Sequence, residues 1–220
     1  MPDSDGARLA VSTTVYPQAA PYLDELAASL RDSRTRAHRV YMVNDGLDAM
    51  ELRERFRGLD LVLVPGGGTP ANNRARGFEA LIEDDVKRVV FADADDTFSP
   101  DRIEESAKAL AHHAVVFNEI RMDDGVGLLA GRIPAGSRVG WRDILDLNFL
   151  GLSNTAVRLD ALRPHVERVG HDADVVDWPL FTRILHAGVM AFRLPVSETH
   201  YRRHPGSFAV LEATSARSAE

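Results

Sequence analysis

The sequence contains no cysteine, so disulfide bonds and thiolate chemistry are excluded, and any bound metal must have oxygen or imidazole ligands. It also lacks an apolar run of about 18 residues, so we predict no membrane-spanning helix. The N-terminus has neither a basic segment nor a long apolar one, which argues against a signal peptide and for a cytoplasmic protein. There is no excess of positive charge: the formal net charge of −7 argues against a nucleic acid as partner.

The chain does have the length and composition of one folded domain. Its 220 residues are 45% hydrophobic and 27% charged, which is typical of a globular protein. We therefore expect a single domain over residues 1–220. Within it, residues 8–112 and 113–210 form two halves of different pattern, and residues 211–220 form a small polar tail that frays.

Short apolar runs alternate with amphipathic ones four times in the first half. Strands are predicted in RLAVSTTVY, HRVYMVND, LDLVLVP and KRVVFAD, each followed by a helical pattern, with Ser99 as N-cap of the fourth helix. This alternation indicates an α/β fold, Rossmann-like, with a mostly parallel central sheet and helices on both faces. Beyond residue 113 we expect a β-pair around the turn at 123–125, helices in RDILDLNFL, LDALRPHVERV and DVVDWPLFTRILHAG, and a strand in VMAFRLPV.

Three carboxylates, Asp93, Asp95 and Asp96, follow the predicted fourth strand in the stretch RVVFADADDTFSP. Ligands of open parallel sheets bind beyond the carboxyl ends of the strands. Carboxylates this close repel one another unless a cation neutralises them, and hard oxygen ligands favour Mg²⁺ or Mn²⁺ bound together with substrate phosphates. The alternative is an acidic turn that caps the next helix.

Polar side chains also follow the other predicted strands. Thr14 and Tyr16 end the first strand. Asp45 follows the second, and Arg74 lies in the third helix behind a glycine-rich loop. Hydroxyls and an acid can bind a nucleoside, an aromatic ring can stack on its base, and an arginine can face a phosphate. Singly, Asp45 before a glycine is also a common turn residue and Arg74 a common solvent-facing one, but their convergence on one sheet edge favours a binding site.

Four segments together resemble the family 2 glycosyltransferases of the GT-A fold: VSTTVYPQAAPYLDELAASL, VNDG, PANNRARGFEAL and VVFADADDTFSPDRIEES. The resemblance covers residues 8–112 well and continues more loosely through GLSNTAVRLDAL, DVVDWPLFTRILHAG and YRRHPGSF. Two departures stand out. Ala75 replaces the usual Asn of the family's A-R-N-x-G segment, with Asn73 in place of its first Ala, and Val176 replaces the first of two acids, leaving Asp177.

The resemblance implies a metal-dependent enzyme that moves a sugar from a nucleotide-diphosphate sugar to a hydroxyl of a small-molecule or glycan acceptor. The implied donor contacts are Thr14 and Tyr16 to the base, Asp45 to the base, Arg74 to the base or diphosphate, Asp93 to the ribose or to the metal through water, and Arg202 and Arg203 to the diphosphate. Asp95 is the first choice as direct ligand of Mn²⁺ or Mg²⁺, followed by Asp96, with His204 a further candidate.

The same resemblance makes Asp177 the catalytic base that deprotonates the acceptor, and a single carboxylate suits an inverting displacement. Trp178 would pack beside it or against a sugar ring. The alternative is that Asp177 is the N-cap of the helix that begins near Pro179, with the base supplied by Asp174.

Other functions compete for the same residues. DADDT also fits the nucleophile loop of haloacid-dehalogenase-like phosphatases, with Asp93 as nucleophile and Asp95 as acid/base, but that family needs a later lysine and none follows Lys108. A metal-dependent nucleotidyltransferase would need a G-x-G-T-R loop after the first strand, which is absent. A catalytically inactive nucleotide-sugar-binding protein also stays open, as does a homodimer.

Overall fold

The computed structural model describes residues 9–35, 38–122, 127–129, 132–145, 147–169 and 176–203. Its strands are β1 (Leu9–Val15), β2 (Arg39–Asn44), β3 (Asp60–Pro65), β4 (Arg88–Phe91), β5 (Thr97–Phe98), β6 (Val115–Met122), β7 (Arg138–Val139), β8 (Thr155–Arg158) and β9 (Ala191–Tyr201). Its α-helices are α1 (Leu23–Asp32), α2 (Ala49–Arg55), α3 (Pro70–Glu83), α4 (Arg102–Ala109), α5 (Leu159–Leu162) and α6 (Asp177–His186). Short 3₁₀ helices cover Pro17–Tyr22, Leu152–Asn154 and Arg163–Arg168.

The strands form one sheet in the order β3-β2-β1-β4-β8-β6-β9-β5, and β7 pairs with β9. β3, β2, β1 and β4 are mutually parallel, and β6 is parallel to β9, whereas β8 runs antiparallel to both β4 and β6. Parallel neighbours need a crossover connection, and the strand–helix repeats of the first half supply it. The prediction of an α/β fold with a mostly parallel central sheet is confirmed.

Both faces of the sheet are covered, as the continuous apolar strands predict. All seven residues of β1 are buried. One hydrophobic cluster contains Phe78 of α3 and Phe181 of α6, and a second contains Leu26 of α1, Leu52 of α2 and Ile103 of α4. Because each helix buries its own apolar stripe against the sheet, the central strands are held rigidly between two layers.

Side-chain caps set where two of the helices begin. Asp48 accepts two backbone N–H bonds of 2.8 Å in the first turn of α2, and Thr69 accepts one of 3.2 Å in α3. The expected cap at Ser99 is wrong, because α4 begins after Asp101 and makes no side-chain cap bond. The Ser99 hydroxyl instead accepts the backbone N–H of Glu198 at 2.9 Å, which ties this loop to β9.

The second half departs from the sequence prediction in two places. RDILDLNFL forms turns rather than a helix over residues 142–145, where the backbone N–H of Leu145 donates to Arg142 O at 3.4 Å, three residues back instead of the four of an α-helix. β9 extends past the predicted VMAFRLPV to Tyr201, through an irregularity at which Ser197 has a φ of 79°. The predicted turn at 123–125 lies outside the described residues.

The remaining helices agree with the predicted segments. LDALRPHVERV forms α5 and the 3₁₀ helix Arg163–Arg168, and α6 ends before Gly188, whose φ of 93° stops it. No helix within the described ranges combines the length and the apolar character needed to cross a membrane.

Candidate functional site

The carboxyl ends of β1, β2 and β4 meet at one edge of the sheet because the three strands are parallel and adjacent. The backbone N–H of Asp45 donates to Val15 O at 2.8 Å, so the loop after β2 lies against the end of β1. The backbone N–H of Ala92 donates to Ser12 O at 3.0 Å, which places the start of the acidic loop beside the same strand. The loops that carry Asp45 and Asp93 thus lie beside the end of β1.

Arg74 links two of the polar residues at this edge. Its guanidinium donates to Asp93 Oδ1 at 2.6 Å and to Thr14 Oγ1 at 3.3 Å. The side chains of Arg74 and Asp93 are 21% and 28% exposed, so their ion pair is partly shielded from water yet reachable by a ligand. One of the three clustered carboxylates is therefore already neutralised by a cation of the protein itself.

Asp45 is held by α3 rather than left as a simple turn residue. Asn73 Nδ2 donates to Asp45 Oδ2 at 2.9 Å, and Asn73 Oδ1 accepts the backbone N–H of Gly67 at 2.7 Å. Asn73 is buried, so it fixes both the acid and the glycine-rich loop. At Gly66 a Cβ would lie 2.6 Å from Asn44 O, which explains why glycine is needed there. Sequence analysis noted Asn73 only as a departure from a motif.

Tyr16, directly after β1, and Asp95, in the acidic loop, are both half-buried. Burial raises the pKa of the Tyr16 phenol, and the negative charges of Asp95 and then Asp93 raise it further, so the three groups are close in space. The backbone carbonyl of Asp95 accepts from Arg202 Nε at 3.1 Å. Asp95 is half-buried, which leaves its carboxylate within reach of a ligand.

Asp96 points into the protein. Its Oδ2 accepts the hydroxyl of Ser153, and its Oδ1 accepts the backbone N–H of Arg202 at 3.0 Å. Burial, followed by the charge of Asp93, raises the pKa of the Asp96 carboxyl well above its usual range. Each carboxylate oxygen accepts one hydrogen bond and keeps a lone pair, but Asp96 is only 3% exposed, so burial disfavours the metal-ligand role predicted for it.

Arg102 lies beneath the acidic loop and was missed by sequence analysis. It is 1% exposed, and its guanidinium donates to Phe91 O at 2.6 Å and to Asn118 Oδ1 at 2.9 Å. Burial lowers the pKa of Arg102 to about 10, while Asp96 and Asp93 oppose that shift, so the side chain stays a cation at neutral pH. An arginine beside acids on an amphipathic helix ordinarily indicates a solvent-facing position, and no sequence signal distinguishes this one.

The end of β9 crosses the acidic loop. The guanidinium of Arg202 donates to Glu25 and lies 4.7 Å from the ring centroid of Tyr22, so it is turned towards α1. Arg203 is exposed. Tyr201 is the last residue of β9, and burial and then the charges of Asp96, Asp93 and Asp95 raise its pKa to about 12. The proposed ligand His204 lies outside the described residues.

Asp177 faces this edge from α6. Its Oδ1 accepts the backbone N–H of Trp178 at 2.8 Å, and its Oδ2 accepts Asn148 Nδ2 at 3.3 Å. Burial raises the pKa of Asp177; Asp93 raises it further, and Arg74 lowers it, so all three groups share one electrostatic environment.

The capping alternative for Asp177 is wrong. The N-cap position of α6 is occupied by Val176, and no side-chain cap bond is made there. Trp178 is 39% exposed, and its indole N–H donates to Ile144 O at 2.9 Å, which fixes the ring beside the acid. Asp174, the substitute base, lies outside the described residues.

Comparison with known proteins adds a fold assignment. By sequence, the chain matches no protein-family model and no curated protein. Among solved structures it is similar to S. aureus TarS 1-349 in complex with UDP-GlcNAc, with a TM-score of 0.69 and 18% identity over 91% of this chain and 60% of that one. It is also similar to the mannosyltransferase PcManGT from Pyrobaculum calidifontis in complex with GDP-Man and Mn²⁺, with a TM-score of 0.62 and 17% identity over 96% of this chain and 61% of that one. The chain has a GT-A fold.

The GT-A likeness extends over most of this chain but over only part of its neighbours. Another structure of S. aureus TarS matches with a TM-score of 0.70 and 19% identity, over 96% of this chain and 39% of that one. At such identities the likeness establishes the fold, while activity has to be argued from the residues of this chain.

The carboxylate oxygens at the edge of this GT-A sheet are suited to a divalent ion that is bound together with a phosphate-bearing ligand. Among the described residues, no group of three or more His, Asp or Glu side chains is arranged to hold a metal. Asp93 and Asp95 offer hard oxygens, the class that Mg²⁺ and Mn²⁺ prefer, and such ions commonly complete their coordination with phosphate oxygens and water. The site therefore suits an ion whose coordination is completed by a bound phosphate better than an ion held by protein side chains alone.

Proposed function

We propose that the protein is a metal-dependent, inverting glycosyltransferase that moves a sugar from a nucleotide-diphosphate sugar to an acceptor hydroxyl. The observation that carries the proposal is that residues from the first and the second half of the chain lie at the same edge of the sheet. Arg74 joins Thr14 to Asp93 on the strand side, and Asp177 faces the same charges from α6. A GT-A fold with neighbours that bind UDP-GlcNAc and GDP-Man supports a nucleotide-sugar donor.

The donor would lie across the ends of β1, β2 and β4. Thr14 and Tyr16 would line the base pocket, and Asp45, held by Asn73, would accept a hydrogen bond from the base. Arg74 would exchange part of its contact with Asp93 for the base or the diphosphate, leaving Asp93 to bind the ribose. Thr14, Asp45, Arg74 and Asp93 are each held by a partner in the protein, so little ordering entropy is lost when the ligand binds.

Mn²⁺ or Mg²⁺ would be held by Asp95, with the diphosphate supplying further oxygens. When bound, such an ion supplies positive charge where the leaving diphosphate becomes more negative. Asp96 would position the loop through Ser153 and the backbone of Arg202. Exposed Arg203 would contact the diphosphate, whereas Arg202 could do so only by leaving Glu25.

Asp177 would accept the proton of the acceptor hydroxyl as that hydroxyl attacks. A pKa raised by burial makes its carboxylate a stronger base than a solvent-exposed aspartate. One carboxylate on the acceptor side suits a single displacement with inversion. The GT-A fold gives no support to the phosphatase alternative, and the inactive-binder alternative predicts affinity for donors without turnover.

The test combines binding and turnover. Melting temperature and calorimetric affinity are measured with UDP, UDP-GlcNAc, GDP and GDP-Man, each with and without Mn²⁺. The proposal expects at least one nucleotide sugar to bind in a Mn²⁺-dependent way and to be transferred or hydrolysed. Binding without any turnover, across a panel of hydroxyl acceptors and water, would favour the inactive binder. No binding of any nucleotide would overturn the proposal. The acceptor, a homodimer and a cytoplasmic location remain predictions.

A further inference from the structure

A chain of hydrogen bonds runs through the interior from Arg102 of α4 to Asp96 of the acidic loop, residues 92–96. Its intermediate members are Asn118 of β6, Thr199 of β9 and Ser153 of the 3₁₀ helix Leu152–Asn154, and none of the five residues is more than 5% exposed. Polar side chains are costly to bury, so a set that bonds mainly within itself indicates one fixed arrangement of the elements that carry it.

The donor of each bond in this chain can be assigned. Arg102 Nε donates to Asn118 Oδ1 at 2.9 Å, which fixes the other end of that amide as its NH₂ group. Asn118 Nδ2 donates to Thr199 Oγ1 at 2.9 Å and to Glu119 O at 2.8 Å. The Thr199 hydroxyl has a single proton, which it donates to Ser153 O at 3.1 Å. Thr199 is therefore the link between β6 and Ser153.

The chain ends on a residue that joins two segments of the candidate site. Ser153 donates its hydroxyl to Asp96 Oδ2, and Asp96 Oδ1 accepts the backbone N–H of Arg202 at 3.0 Å. Asp96 follows Asp95 in the acidic loop, and Arg202 and Arg203 follow the end of β9. The loop with the proposed metal ligand and the strand end with the proposed diphosphate contacts are thus tied to each other through Asp96.

An irregularity between β6 and β9 lies beside Thr199. The two strands pair in register as far as Phe117 and again from Glu119, and β9 contains extra residues in between. Ser197, one of these extra residues, has a φ of 79°, a conformation that is uncommon for a residue with a Cβ. Such strain persists only where the surrounding structure imposes it. Asn118 lies at the break, and its side chain makes the connection to Thr199 there.

We infer that Thr199 is a positioning residue for the metal and diphosphate side of the donor site. The inference rests on the proposed function, in which Asp95 holds the ion and the end of β9 contacts the diphosphate. At 0% exposed, Thr199 reaches neither group itself. Its hydroxyl holds Ser153, and Ser153 holds Asp96.

The nucleoside side of the proposed site is held by different bonds. Asn73 donates to Asp45, and Arg74 donates to Thr14 and to Asp93. These contacts join α3 to the ends of the parallel strands and do not pass through the buried chain. Loss of the Thr199 hydroxyl should therefore weaken binding of the metal and the diphosphate more than binding of the nucleoside.

Four variants test this role. Thr199→Val keeps the shape of the side chain and removes its hydroxyl, whereas Thr199→Ser keeps the hydroxyl. Thr155→Val is the matched control, because Thr155 is also 0% exposed and its Oγ1 has no hydrogen-bond partner within the described residues. Ser153→Ala breaks the same chain one link later, and it carries the test if Thr199→Val does not fold.

The first measurement needs no donor. Hydrogen exchange of the Arg202 backbone amide is followed by NMR in the full chain, relative to the Asp45 amide, which donates to Val15 O at 2.8 Å. We expect this ratio to rise by about tenfold in Thr199→Val and Ser153→Ala and to stay at the wild-type value in Thr199→Ser and Thr155→Val. An unchanged ratio in the first two variants, or an equal rise in Thr155→Val, would overturn the inference.

The second measurement is the calorimetric affinity of UDP and GDP with Mn²⁺, and of uridine and guanosine without it. For the base that binds wild type, Thr199→Val should weaken the diphosphate by about tenfold, the low end for a bond behind a metal ligand, and Thr199→Ser should restore it. Nucleoside affinity should stay within about twofold of wild type. Equal losses for nucleoside and diphosphate would indicate a general structural defect and overturn the inference. Failure of every nucleotide to bind wild type would instead overturn the proposed function, and the exchange ratio would still decide whether Thr199 holds the end of β9.

Discussion

Replacing Asp177 by asparagine separates its charge from its hydrogen bonds. The amide oxygen of the new side chain can accept the Trp178 N–H that now binds Oδ1. Its amide nitrogen would then face Asn148, which can rotate to present the Oδ1 that lacks a partner among the described residues. The substitution therefore preserves shape and two hydrogen bonds, and removes one partly buried negative charge.

The sign of the stability change follows from the raised pKa of Asp177. Below its unfolded pKa of about 3.9 the carboxyl is neutral in both states, and ionisation costs no stability. As the pH rises through the folded pKa, this partly buried carboxyl ionises, and the folded protein loses stability relative to the variant. At pH 7 we expect the variant to melt at or above the wild-type temperature, by about 2–4 °C for each kcal/mol gained, with the gap shrinking as the pH falls.

The rate should change in the opposite direction. An amide cannot accept the acceptor's proton, so transfer should fall by about 10²–10⁴-fold, the usual contribution of a positioned general base. Wild-type kcat/KM should rise with pH through a pKa above the ordinary aspartate value. Donor affinity should stay close to wild type, because the nucleotide contacts lie on other elements.

The assays are melting temperature between about pH 5 and pH 8, calorimetric titration with the nucleotide that binds wild type, and transfer rate per folded molecule. Asp160→Asn is the matched control. Asp160 is an exposed acid paired with Arg158, so its replacement removes the same charge from a position where ionisation is not opposed by burial. A wild-type transfer rate would refute Asp177 as base. A melting temperature several degrees lower at pH 7, with the control unchanged, would refute the reasoning from charge burial.

Three further predictions concern the donor side. Asp95→Asn should abolish the Mn²⁺-dependent part of donor stabilisation, which for a site at 100 times Kd is about 2.7 kcal/mol, and a retained Mn²⁺-dependent melting shift would exclude Asp95 as ligand. Asp45→Ala should weaken binding of the free nucleoside diphosphate by about 1.5–3 kcal/mol, measured by calorimetry without metal, and unchanged affinity would make Asp45 a turn residue only. Arg102→Met should lower stability by about 3 kcal/mol in chemical denaturation, because Phe91 O and Asn118 Oδ1 lose their donors, and an unchanged midpoint would contradict that role.

Local pattern was enough to predict the parallel half of the fold. In β1 every residue is buried, and a run that is apolar on both faces indicates a strand covered by helices on each side. The place of Asp93 and Asp95 at a strand end followed from the same pattern, because strand direction in a parallel sheet decides which loops share an edge. Local pattern failed in RDILDLNFL, where residues 142–145 form turns with an i→i+3 backbone bond although the hydrophobic spacing predicts a helix.

Only the tertiary structure decided which polar groups are partners. Asn73 binds Asp45 from 28 residues away, and the backbone of Arg202 binds Asp96 from 106 residues away. The inward direction of Arg102 likewise depends on its bonds to Phe91 and Asn118, which lie on two other elements. Periodicity records which face of an element is buried, since burial of apolar area is local and non-directional. Hydrogen bonds and ion pairs are directional and join distant segments, so their partners emerge only when the elements have packed.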